Sequence, residues 1–133
     1  MFVNLDHIAI AVKNLDESKS IYMGKLGFEL VAEEELEERG LRLAILSGGG
    51  APIELLEDTT GEGTVAKFIA KHGPGLHHLA FNVEDISKAM EELKARGMEF
   101  TTSEPSKGAG GKLIAFIHPR STGGLMIELV QKR

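Results

Sequence analysis

The stretch LDHIAIAV, residues 5–12, returns 71 residues later as LHHLAFNV, residues 76–83. Each copy reads as a β-strand, whose successive side chains point to opposite faces. In the first copy His7, Ala9 and Ala11 share one face, and Ile8, Ile10 and Val12 form the other. In the second, His78, Ala80 and Asn82 oppose Leu79, Phe81 and Val83. The counterpart of His7 is therefore His78, and His77 points to the wrong side. The bulky apolar face suits packing against a helix, while the histidine face carries small residues, as it should where something other than side chains must fit.

Outward from these strands the two halves continue alike. Each has a polar start, NLDES or VEDIS, then a helical stretch closed by Gly27 or Gly97, then a strand, FELV or MEFT. Ile86, Ala89, Met90 and Leu93 recur at i, i+3, i+4 and i+7, an amphipathic helix with Asp85 as N-cap. Leu15, Ile21, Tyr22 and Leu26 make a weaker version in the first half. Two hairpins follow, RLAILS with PIELLE (residues 42–57) and KLIAFIHP with LMIELVQ (residues 112–131). The expected fold is α+β: two tandem βαβββ modules with pseudo-twofold symmetry, forming a curved mixed sheet with helices on its outer face. Module one spans residues 1–60, a linker helix residues 61–75, and module two residues 76–133 of a single domain. A unit of about 60 residues is marginal alone, so the halves are expected to share one core.

The last strands repeat too, IELL at residues 53–56 and IELV at residues 127–130, with Glu128 lying 74 residues after Glu54. By parity each half offers one histidine and one glutamate on the face away from its helix. Alone, a strand histidine is ordinarily a hydrogen-bonded structural residue, and a glutamate in an alternating strand is ordinarily the solvent face. Repetition changes that reading, because two His/Glu pairs related by a pseudo-twofold converge if two curved sheets join edge to edge. Two imidazoles and two carboxylates suit a divalent first-row ion with two open positions.

Composition limits the partners. The chain has 133 residues and a formal charge of −5, with no basic excess to neutralise a nucleic acid backbone. No apolar run approaches the roughly 20 residues that span a bilayer, and the amino end lacks signal-peptide character, so a cytoplasmic protein is expected. Cysteine is absent, which leaves His, Asp and Glu as the metal ligands.

DHIAIAV, PIELLE, GPGLHHLAFNVEDI and the tail EPSKGAGGKLIAFIHPRSTGGLMIELVQ, residues 104–131, together resemble the vicinal oxygen chelate (glyoxalase/bleomycin resistance/dioxygenase) superfamily, and within it the methylmalonyl-CoA epimerase family. The tail is the most specific part. The resemblance implies one divalent metal (Co, Mn, Ni or Zn) held by His7, Glu54, His78 and Glu128, an acyl-CoA thioester as substrate, and a homodimer. It also implies proton removal from the carbon between a carboxylate and a thioester, with Glu128 as a catalytic acid/base besides its ligand role. Some relatives carry a second glutamate where Leu43 stands; Glu38 or water would take its place. His118 matches the family without an assigned role, and Lys107, Lys112 and Arg120 are candidates for CoA phosphates or simply solvated. His72 lies in the linker with no repeat partner. A glyoxalase I-like lyase and a metal-free small-molecule-binding protein are the alternatives for this fold.

Overall fold

The computed structural model describes residues 1–132. It divides into two compact units, one of His7–His77 and one of Met1–Asp6 together with the chain from His78 onward. The first strand, β1 (Phe2–Ala11), contributes to both.

In the unit from His7 to His77, β2 (Glu29–Leu36), β3 (Leu41–Ser47) and β4 (Ile53–Asp58) lie in the order β2-β3-β4-β1. β2, β3 and β4 run antiparallel and β4 pairs with β1 in parallel. The register sets Ala9 opposite Glu54, and Glu54 opposite Ile45. One face packs on α1 (Leu15–Lys19), where Val12, Leu15, Ala44, Leu46 and Leu55 are buried with Tyr22, Met23 and Phe28 against them. Asn14 caps α1 by accepting from the Glu17 N–H. Leu15 and Leu46 are fully buried, each contributing about 2 kcal/mol of apolar transfer.

The first-half helix departs from a regular amphipathic pattern. After Lys19 it widens into a π-helical turn, Ser20–Lys25, in which the Leu26 N–H reaches back to the Ile21 carbonyl. The wider turn rotates the stripe, so Tyr22 and Met23 turn to the core while Ile21 and Leu26 are exposed. The linker forms α2 (Thr64–His72), which covers the other face of this sheet. There Val65, Phe68 and Ile69 pack with Ala9, Ala11, Leu43 and Leu56. The small residues beyond His7 thus make room for a helix.

The other unit arranges β5 (Gly75–Val83), β8 (Met126–Gln131), β7 (Leu113–Ile117) and β6 (Ser106–Lys107) in that order, with β1 beside β5. Phe2 meets Phe81 at 5.5 Å between centroids, and the Asn82 amide donates to Asn4 and Asp6. α3 (Ile86–Ala95) is capped by Asp85, whose carboxylate accepts from the Lys88 N–H. Its buried stripe is the one the spacing predicts, Ile86, Ala89, Met90 and Leu93, against Ala115, Ile117 and Leu129. Ala80, Ile114 and Val130 lie together with Phe116 as a second, smaller cluster. The expected strand at MEFT is reduced to a bridge between Phe100 and Ile117, and the expected strand through Pro119 stops at Ile117. Pro119 has no N–H to give a ladder and instead begins a 3-10 turn.

The α+β repeat extends to the helix starts. Glu57 accepts from the Leu15 N–H at 3.2 Å, and Gln131, 74 residues later, accepts from the Ile86 N–H at 2.8 Å. In each half the last strand therefore holds the N-terminus of the helix that follows the first strand.

Candidate functional site

In the unit from His7 to His77, the parallel pairing of β1 with β4 sets the two polar residues of the histidine face side by side. His7 Nδ1 lies 3.2 Å from Glu54 Oε2, with the side chains 4% and 15% exposed. In the other unit β5 and β8 repeat the arrangement: His78 Nε2 lies 3.0 Å from Glu128 Oε1, with both side chains less than one-tenth exposed. His78 also meets the edge of Phe116, 5.5 Å away at an interplanar angle of 87°, and Phe116 is the cross-strand neighbour of Glu128. The parity of an alternating strand thus selects the residues that pair. His77 follows a different course, packing edge-on against Phe68 of α2 at 4.8 Å.

The donor chemistry of each pair fits a divalent cation. Two ligands each bound at about 2.1 Å and set at a right angle lie about 3.0 Å apart, close to the nitrogen–oxygen separation in both pairs. Burying a carboxylate is costly unless a charge or hydrogen bond accompanies it, and the imidazole supplies the immediate partner in each half.

The other residues singled out in the sequence fall away from the pairs. Leu43 is buried with Ala9, Ala11, Leu56 and Val65 and carries no acid/base group to this face. Glu38 is exposed in the 3-10 turn Glu37–Arg39 between β2 and β3. His118 has a structural part: its Nδ1 accepts from the Arg120 N–H at 3.1 Å and so caps the turn Pro119–Ser121. Arg120 is engaged by Glu99 at 2.8 Å. Lys107 sits on β6, and Lys112 follows a glycine turn with positive φ at Gly110 and Gly111. His72 is exposed and stacks near Phe68. Spacing alone missed Phe116; its position on β7, two residues before His118, places it on the Glu128 row only once the β7–β8 register is known.

One further carboxylate organises the unit from His7 to His77. Asp58 Oδ1 accepts from the Thr60 N–H, the Thr60 hydroxyl and the Gly61 N–H, and Oδ2 accepts from the Ala66 N–H in the first turn of α2. Burial pushes its pKa up, but the hydrogen bonds from Thr60, Ala66 and Gly61 outweigh that effect and hold it below the usual carboxylate value.

Residues 6–116 match the family model of the Glyoxalase/Bleomycin resistance protein/Dioxygenase superfamily. The ethylmalonyl-CoA/methylmalonyl-CoA epimerase of Cereibacter sphaeroides is 37% identical over 98% of this chain and 99% of its own length. Among solved structures, methylmalonyl-CoA epimerase from Mycobacterium tuberculosis superposes with a TM-score of 0.90 at 36% identity, over 99% of this chain and 89% of that one. A methylmalonyl-CoA epimerase in complex with methylmalonyl-CoA and NH4+ superposes with a TM-score of 0.87 at 34% identity, over 99% and 96%. With His–Glu pairs repeated on matching strands and near full-length likeness to these proteins, the chain belongs to the glyoxalase/bleomycin resistance protein/dioxygenase superfamily, alongside its methylmalonyl-CoA epimerases.

Proposed function

We propose that the protein is an acyl-CoA epimerase that interconverts the two configurations of methylmalonyl-CoA, or of a close homologue, by removing and returning one proton. The observation that carries this reading is the His–Glu pair repeated on β1/β4 and on β5/β8, with both histidines buried, in a chain with relatives named for that reaction. His7, Glu54, His78 and Glu128 are the proposed ligands of one divalent metal. A divalent ion held there would offset the negative charge that develops on the thioester and carboxylate oxygens of the substrate.

The remaining work falls to the chain itself. Glu128 is the proposed acid/base: Oε1 stands beside the His78 imidazole, and the carboxylate is almost fully buried. Ala80, Ile114, Phe116 and Val130 give the same strands an apolar surface beside that pair. Leu43 provides no second carboxylate on β3 and Glu38 is exposed in its turn. The proton returned to the opposite side of the carbon is therefore assigned to solvent water.

The test is turnover of single-configuration methylmalonyl-CoA in D2O by the metal-loaded protein. Inversion with one deuterium gained at the reacting carbon is expected. Isomerisation of the methylglyoxal–glutathione hemithioacetal, with methylmalonyl-CoA untouched, would replace the epimerase reading by the lyase one.

A further inference from the structure

Phe116 marks one difference between the two half-sites, at the residue directly opposite the glutamate. In each half the glutamate has an alanine on one side and an apolar residue on the other: Ala9 and Ile45 flank Glu54, and Ala80 and Phe116 flank Glu128. The first unit has the smaller aliphatic side chain and the second an aromatic ring. That ring stands edge-on to His78. Its neighbours Ile114, Val130 and Ala80 are buried, whereas Phe116 remains half-buried, so part of its surface is open beside the His78–Glu128 pair.

We propose that Phe116 determines specificity by setting the size of the alkyl substituent accepted on the carbon that loses its proton. The inference rests on the acyl-CoA reading above and deepens it. A carbon whose proton is taken by Glu128 lies within hydrogen-bond reach of that carboxylate, so its alkyl branch meets whatever apolar surface adjoins Glu128. Of the two side chains directly opposite Glu128, Ala80 is fully buried and the Phe116 ring keeps exposed area, whereas the partly exposed Met126 stands opposite His78. The ring is bulky and held by its contact with His78, so a longer branch meets a fixed wall rather than a side chain that can swing away. One methylene in an apolar pocket changes selectivity by about tenfold or more.

The test compares dissociation constants of methylmalonyl-CoA and ethylmalonyl-CoA by calorimetry for wild type, Phe116→Ala and Phe116→Leu, with inversion of each substrate followed in parallel. Phe116→Leu keeps most of the apolar volume and is read in case the alanine variant does not fold. Ile117→Val is the control, since Ile117 is the next residue of β7 and packs in the α3 core. The expected result is a rise of about tenfold in the preference for the ethyl compound when Phe116 is shortened, and no change in Ile117→Val. An unchanged ratio in folded Phe116 variants overturns the proposal, as does an equal shift in the Ile117 control. Binding with the shifted ratio but without inversion in any protein upholds the role of Phe116 and defeats the epimerase reading. Binding of neither compound by wild type defeats both.

Discussion

His77 and His78 are consecutive on β5 and both are buried, yet they meet different partners. His78 faces Glu128 at 3.0 Å, and His77 packs against Phe68 of α2. The alternation of the strand separates them. His78→Ala should abolish bound metal and turnover, whereas His77→Ala should keep both at the cost of some stability from the lost ring contact. Elemental analysis of the purified variants checks this, and equal metal loss in two folded proteins would refute the assignment. Glu128→Gln keeps the shape but removes the charge, and should lower turnover at least a hundredfold, as loss of a positioned acid/base does. The pairing of His7 with Glu54 and of His78 with Glu128 was legible in the sequence because a two-residue period, read in two copies, assigns a face without any knowledge of the sheet. Phe116 was not, since its contact with His78 depends on the register of β7 against β8.

At the scale of elements, Asp58 connects the end of β4 to the start of α2. One carboxylate satisfies donors at Thr60, Gly61 and Ala66, which fixes the loop and caps the helix that covers Ala9 and Ala11. Asp58→Ala should cost about 1 kcal/mol, the usual loss for a helix cap, measured by denaturant unfolding. Gly63→Ala should act in the same direction, because a Cβ there would stand 2.3 Å from Asp58 Oδ2. The folded-state pKa of Asp58 is lowered, so its contribution is fully present above the unfolded pKa of about 3.9 and disappears as pH falls through the lower folded value. Wild type should therefore lose more stability than Asp58→Ala between pH 5 and the acid limit. An identical pH dependence in both would exclude the carboxylate as the cause. The elements were largely readable: α3, its cap at Asp85 and the first hairpin lie where periodicity and turn residues put them, while the second hairpin's first strand ends at Ile117, short of Pro119, and MEFT keeps only a bridge. The π-helical turn was not, because Ile21 and Leu26 fit a regular helical stripe equally well until one residue is inserted into the turn. Nor was the seat of α2, since its stripe of Val65, Phe68 and Ile69 says only that some apolar face covers it.

For the whole molecule the repeat has a stoichiometric consequence. Each unit carries its own His–Glu pair, and two donors are few for a firmly held first-row ion, which takes four to six. The proposed quartet therefore predicts one divalent ion per chain, whereas independent pairs would take up two, weakly. Binding to the native state alone stabilises it by about 2.7 kcal/mol when the free metal stands a hundredfold above its dissociation constant, enough to move Tm by several degrees. Chelation should reverse that shift. The single variants separate the two arrangements, because Glu54→Gln and Glu128→Gln lie on different strands and in different units. With one shared ion, either substitution weakens the same binding event and lowers the metal-dependent rise in Tm for the entire chain. With independent pairs, each variant would retain half of the bound metal at the affinity of the untouched pair. Titration of the metal-free protein with cobalt, read by calorimetry and by thermal unfolding, therefore decides it: a single transition near one equivalent that both variants weaken supports the quartet, and a half-site that survives either substitution refutes it.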